Sequence, residues 1–204
     1  MHPEAVASPE EVLAFWLGPL DRDGLASDAQ CARWYRKDPS FDAEVLARFG
    51  ATWSALMRGA HDDWRAAPRS LLAYVIVLDQ FSRNMFRGKS QSFAGDARAL
   101  SAAREGIAQG LERALVGHER VFLYMPFMHS EQLATQDECV TLFEAFRDAS
   151  AGALRKVLEE NVGYAVRHRD VIAEWGRFPH RNQVLDRTST AEEMDFLKQP
   201  GSSF

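Results

Sequence analysis

The chain is poor in several things at once. Two cysteines and four lysines occur among its 204 residues. Cys31 and Cys139 make neither a disulfide framework nor a metal-ligand spacing, which fits a reducing cytoplasm. The formal charge of −5 lacks the basic excess of a general nucleic-acid binder, so no nucleic acid is expected. No apolar run is long enough to cross a bilayer, and no membrane is expected. MHPEAVASPEEV at the start has no basic segment followed by an apolar one, so it does not read as a signal peptide. Alternating strands with hairpin turns are missing, which removes a β architecture. GxSxG, GxGxxG, P-loop and HExxH signatures are also absent. RGKSQS at Arg87–Ser92 lacks the glycines and preceding strand of a phosphate loop.

What is present describes a globular protein. With 46% apolar and 26% charged residues the chain can bury a core, and one domain over 1–204 is expected. Twenty of the 24 basic residues are arginine. Genome composition would explain that, and so would a need for planar guanidinium forks on carboxylates or phosphates.

Helix signals run through the chain. Ser8-Pro9-Glu10-Glu11 is a capping box with proline in the first turn, and Gly18 closes that helix. Asp21–Ala29 reads as a loop before a short helix over Ala29–Arg36. Asp38-Pro39 opens a stripe of Phe41, Val45, Phe49, Trp53 and Leu56 at helical steps. Ser90 or Ser92 is expected to cap a helix over Phe93–Gln109 with Phe93, Ala97, Leu100, Ala103 and Ile107 on its core face. His118–Met125 is expected to break at Pro126. Ser130 is expected to cap a helix to Asp148, with Leu133, Val140, Leu142, Phe143 and Phe146 buried. Leu154–Trp175 and a last helix opened by Ser189-x-x-Glu192 follow. The fold class is all-α, either an irregular bundle of antiparallel helices or a helical-repeat stack, although no repeat near 34 residues recurs.

The stretch around which these helices are organised is Leu71–Gly88, LLAYVIVLDQFSRNMFRG. Pro68 can open and Gly88 can close one helix of about five turns. Its first half is apolar all round, which marks a buried helix. Its second half carries Asp79, Arg83 and Arg87 at successive i,i+4 positions, with Gln80 and Asn84 beside them.

VLAFWLG, WYRKDPSFD, VLDQFSRNMFRG, FAGD, FLYMPFMHSE, QDECVTLF, YAVRHRDVI, GRFPHRN, RTSTAEE and PGSSF together resemble a bacterial family catalogued as domain of unknown function 924. The resemblance covers about Pro9 to Phe204. It implies a tetratricopeptide-like α-helical fold and brings no agreed activity. Leu17 stands where the family commonly has an aromatic, and Asp186 where it commonly has glycine, which bears on the turn into the last helix.

Chemistry therefore rests on the residues. Asp79, His129, Glu131 and His168 are the candidate catalytic groups, with His129 as a general base whose ring Glu131 or Asp79 could orient. Gln80, Arg83, Asn84, Arg87, Arg169, Arg177, His180, Arg181 and Asn182 are the candidate ligand-binding groups for a small anion, phosphate or carboxylate. The competing reading is an ion-pair lattice in which these arginines meet Asp79, Glu131, Asp170 and Glu174 with little net stabilisation. No His spacing suits a metal, and neither metal nor cofactor is expected. The aromatics at helical spacing are mostly core. Two functions stay open: an acid/base enzyme acting on an anionic substrate, or a non-enzymatic tetratricopeptide-like module that binds a peptide or protein partner.

Overall fold

The computed structural model describes residues 6–202. The first five residues of MHPEAVASPEEV and the last two of PGSSF lie outside them. The fold is all-α, and among the described residues the β pairing is one isolated bridge, Leu20 to Ala26. Among the described residues no helix is long and apolar enough to cross a membrane.

α1 (Pro9–Leu17) starts with the Ser8–Glu11 capping box and ends at Gly18. α2 (Asp28–Tyr35) is capped by Ser27 and buries Trp34 while leaving Tyr35 exposed. α3 (Pro39–Met57), capped by Asp38, runs unbroken through Gly50. Phe15, Trp16, Trp34, Phe41, Phe49, Phe81 and Phe122 of these and later helices interlock as one aromatic cluster.

α4 (Pro68–Ile76) is the hub. It packs against α1, α6 (Asp96–Ala108) and α7 (Gly117–Met128), and Leu71 through Leu78 are wholly buried. The single regular helix expected here is interrupted: Val77–Phe81 forms a π turn before α5 (Ser82–Met85). One rung of the i,i+4 ladder survives, Arg83 to Asp79 at 3.1 Å. Arg87 lies beyond the last helical residue and pairs with Asp42 instead.

Further expectations are corrected. Neither Ser90 nor Ser92 caps α6; Gly95 precedes it, and Ser92 donates its hydroxyl to the Phe86 carbonyl. The α6 face is only partly as expected: Ala103 is buried and Leu100 and Ile107 are half-buried against the core, Ala97 is exposed, and Ala99, Ala102 and Gly106 let α6 close on α4; a Cβ at Gly106 would stand 2.1 Å from Leu71. α7 runs through Pro126 to Met128, since near-complete burial on all sides outweighs the one lost backbone bond. Ser130 accepts from the Gln132 amide rather than capping α8 (Leu133–Asp148). Leu133 is exposed, whereas Cys139, Phe143 and Phe146 are buried. α9 (Gly152–Trp175) packs along α8 and stops at left-handed Gly176. The cap of α10 (Ala191–Phe196) is Thr190 with Glu193, one residue beyond the expected Ser189 and Glu192. Asp186 adopts φ 54°, the left-handed region that glycine favours.

Candidate functional site

The π turn places Asp79 at the polar end of the buried hub helix. π turns inside α-helices frequently mark functional positions. Ser82 donates to the Leu78 carbonyl at 2.7 Å, and Arg83 donates to the Asp79 carbonyl at 2.7 Å. Gly95 makes the next step possible. A Cβ there would stand 2.2 Å from the Leu78 carbonyl oxygen, so only glycine lets α6 begin against the π turn. Asp96, the next residue, then takes the Arg83 guanidinium through both oxygens, at 2.9 and 3.1 Å.

Asp79 itself is fully buried. His129 Nδ1 lies 2.7 Å from Oδ1, and Gln80 donates to Oδ2. Burial opposes ionisation of this carboxyl, but Arg83 and His129 outweigh it and hold it at about 2. An ionised carboxylate only accepts hydrogen bonds, so the His129 proton belongs on Nδ1 and the Nε2 lone pair is left available. Among the described residues no group hydrogen-bonds Nε2. Burial, and then the Arg83 charge, lower the His129 pKa, so the ring is neutral at pH 7. Gln136 fixes the end of α7 from beneath, donating to the Met128 carbonyl at 2.7 Å and the Ser130 carbonyl at 2.6 Å.

The third wall is the turn after α9. Glu131 accepts from the Phe178 amide at 2.8 Å and from the Arg187 fork at 2.7 and 3.0 Å. Burial works against its charge, yet Arg187 and Phe178 lower its pKa below the ordinary value. These bonds hold the short 3₁₀ turn Pro179–Arg181 against α7. Arg181 therefore points inward, its side chain only 7% exposed, with Asp96 at 3.7 Å. Its guanidinium lies 4.7 Å from the Phe93 ring centre and 4.4 Å from that of Phe178. No hydrogen bond reaches this guanidinium among the described residues, and its Nε is buried. Burial, followed by repulsion from Arg83, pulls its pKa down to about 10. His168 donates Nδ1–H to the Tyr164 carbonyl at 2.8 Å, the tautomer that this acceptor requires. Burial lowers His168 to about 3 and His180 to about 4.

Asp79, Gln80, Arg83, His129, Glu131, His168, His180 and Arg181 thus come together at one junction. Five of the expected ligand groups do not join it, because they are bound to carboxylates elsewhere. Asn84 and Arg87 both donate to Asp42 of α3, and Arg169 pairs with Asp137 and Asp170 on the surface. Arg177 and Asn182 converge on Glu193. The three arginines among them form ion pairs, but of the carboxylates expected in the lattice only Asp170 takes part; Asp42, Asp137 and Glu193 supply the rest. Glu131 orients neither His129 nor a ligand directly; it anchors the turn that carries Arg181. Two surface clefts, of about 460 and 400 Å³, run along α1 and contain none of the junction residues.

A family of bacterial proteins of unknown function, DUF924, matches residues 12–201. The chain belongs to this family. It is similar to a solved protein of unknown function, ATU0120 from Agrobacterium tumefaciens, at 33% identity over 93% of this chain and 96% of that one, with a TM-score of 0.78. No curated protein matches. In this member of the DUF924 family, FAGD supplies Phe93, Gly95 and Asp96, and QDECVTLF supplies Gln136. None of these four is among the expected site residues, although the motifs contain them.

Proposed function

We propose that the junction of the π turn, the start of α6, the end of α7 and the 178–181 turn binds a small anion, a phosphate or a carboxylate, through Arg181. One observation carries this reading: a buried guanidinium clamped between two aromatic rings with no hydrogen bond to it among the described residues. Burying a cation without hydrogen-bonded compensation costs several kcal/mol, as an order of magnitude. An anion placed on the Nη edge would supply the missing acceptors with charge-assisted bonds. Arg83, spent on Asp79 and Asp96, adds positive potential rather than a contact. The Phe93 and Phe178 faces restrict Arg181 to edge-on approach, which favours a planar or tetrahedral oxyanion over a bulky one. A peptide partner would use a continuous apolar face. The large exposed apolar side chains, among them Tyr35, Leu46, Val116, Tyr164 and Met194, are instead spread over separate elements.

Thermal unfolding with increasing orthophosphate, and separately with succinate, tests the reading. The unfolding temperature should rise with ligand concentration as RT ln(1 + [L]/Kd) in the wild type and stay flat in Arg181→Gln. An equal rise in both proteins, or none in the wild type, overturns it.

A further inference from the structure

Anion binding gives Arg181 a task and leaves His129 without one. We infer that His129 is the general base of this junction and Asp79 its positioning residue, activating a water against a small carboxylate-bearing ester held by Arg181; the inference rests on the anion reading above. The geometry has the parts of an oriented base. A buried carboxylate sits 2.7 Å from Nδ1 and fixes both the tautomer and the ring plane. Nε2 bears the lone pair and has no hydrogen-bond partner among the described residues. Gln136 locks the carbonyls on either side of His129, so the ring cannot swing away when it takes a proton. Asp79 would also stabilise the imidazolium that forms.

Water is the nucleophile because the candidates within the chain are committed. Ser130 Oγ accepts from the Gln132 amide at 3.2 Å, and the Cys139 thiol is fully buried, its pKa pushed up by that burial. In the step, Nε2 takes a proton from water as the water oxygen bonds to the ester carbonyl carbon. Collapse of the tetrahedral intermediate breaks the bond to the leaving alcohol, which takes the proton from Nε2. An acid and an alcohol leave, the imidazole is neutral again, and no oxidant or reductant takes part.

The full chain should hydrolyse mono-4-nitrophenyl glutarate faster than neutral 4-nitrophenyl butyrate. His129→Gln and Asp79→Asn should each lower kcat/KM for the glutarate ester by at least about a hundredfold. The wild-type pH profile, read over the range in which circular dichroism shows the chain folded, should rise through one ionisation below 6.5 and then stay level. That ionisation is set among Asp79 and Arg83 from the hub helix, Asp96 from α6, and His168 and His180 from α9 and the turn after it. Activity lost within the folded range separates ionisation of the base from acid unfolding, so the profile remains a test even if His129→Gln fails to fold. No hydrolysis of either ester above buffer, a wild-type rate in a folded His129→Gln, or a profile with no ionisation below 6.5 overturns the inference. The two readings separate cleanly. An orthophosphate shift retained in His129→Gln with no esterase activity leaves the anion site and removes the base. His129-dependent hydrolysis of both esters at equal rates, with no orthophosphate shift, leaves the base and removes the anion site.

Discussion

Arg177 and Arg181 stand one helical turn apart in sequence and meet opposite fates. Arg177 donates to both oxygens of Glu193, at 2.6 and 2.8 Å, and to the Thr188 carbonyl at 3.0 Å. Asn182 and the Thr190 amide complete the same carboxylate, at 3.1 and 2.8 Å. Nε and Nη2 of Arg177 both have acceptors, so it is a strut that closes α10 onto the turn after α9. Arg181 is more deeply buried and has only a long approach to Asp96, already occupied by Arg83. The comparison teaches that arginine content does not locate a binding site. The mismatch between burial and hydrogen bonding does.

The largest effect expected from breaking this contrast is at Asp79. Asp79→Ala leaves the Arg83 charge half-matched and His129 without its acceptor, and should cost about 3–5 kcal/mol in urea unfolding. Glu193→Ala should cost distinctly less, because the freed Arg177 can regain water at the surface. A larger loss for Glu193→Ala would invert the assignment of strut and site.

Arg181→Met sharpens the same comparison from the other side. Replacing a buried cation that makes no hydrogen bond among the described residues with an apolar chain of similar reach should leave apo stability unchanged or raise it by about 1 kcal/mol. Arg83→Lys, which removes the fork holding Asp79 and Asp96 together, should lower apo stability measurably. Loss of stability in Arg181→Met would show that Arg181 is a strut too.

Acid should reveal the junction before the knot. His168 and His180 have folded values of about 3 and 4 against an ordinary 6.5, and His118 and His129 are also lowered, all by burial first. Between those values the unfolded chain binds more protons than the folded one. Stability is therefore whole above 6.5 and declines as pH falls from 6.5 towards 3. Glu193, lowered to about 2 chiefly by its Arg177 bonds, and Asp79, also about 2, lose their contribution only as pH falls below the ordinary carboxylate range. Unfolding temperatures measured between pH 7 and 4.5 should fall in the wild type. A flat curve in that window would mean that the buried histidines do not titrate as their burial requires.

The smallest effect is at Asp186, which holds φ 54° at a position between the two regions. Asp186→Gly relieves a left-handed residue and should raise stability by about 0.5 kcal/mol. A loss would mean that the aspartate side chain itself supports the turn.

The helices were legible in the chain because their determinants are local. Ser8 and Asp38 cap as their spacing requires, Gly176 stops α9, and the buried half of the hub helix announces itself by being apolar on every side. Errors of one or two residues arose where two cap sequences overlap, as at Ser189 and Thr190. The π turn, the passage of α7 through Pro126 and the alanine face of α6 were not legible, since each depends on how closely a neighbouring helix can approach. The site divides in the same way. The three polar stretches and their joint location could be anticipated from charge placed at helix ends. Which arginine is matched and which is not could not, because a partner such as Asp96, Asp42 or Glu193 lies far along the chain and is chosen only when helices pack. Local sequence dictates which side chains are polar and where helices begin and stop; tertiary packing alone decides which buried charge is left to meet something other than the protein.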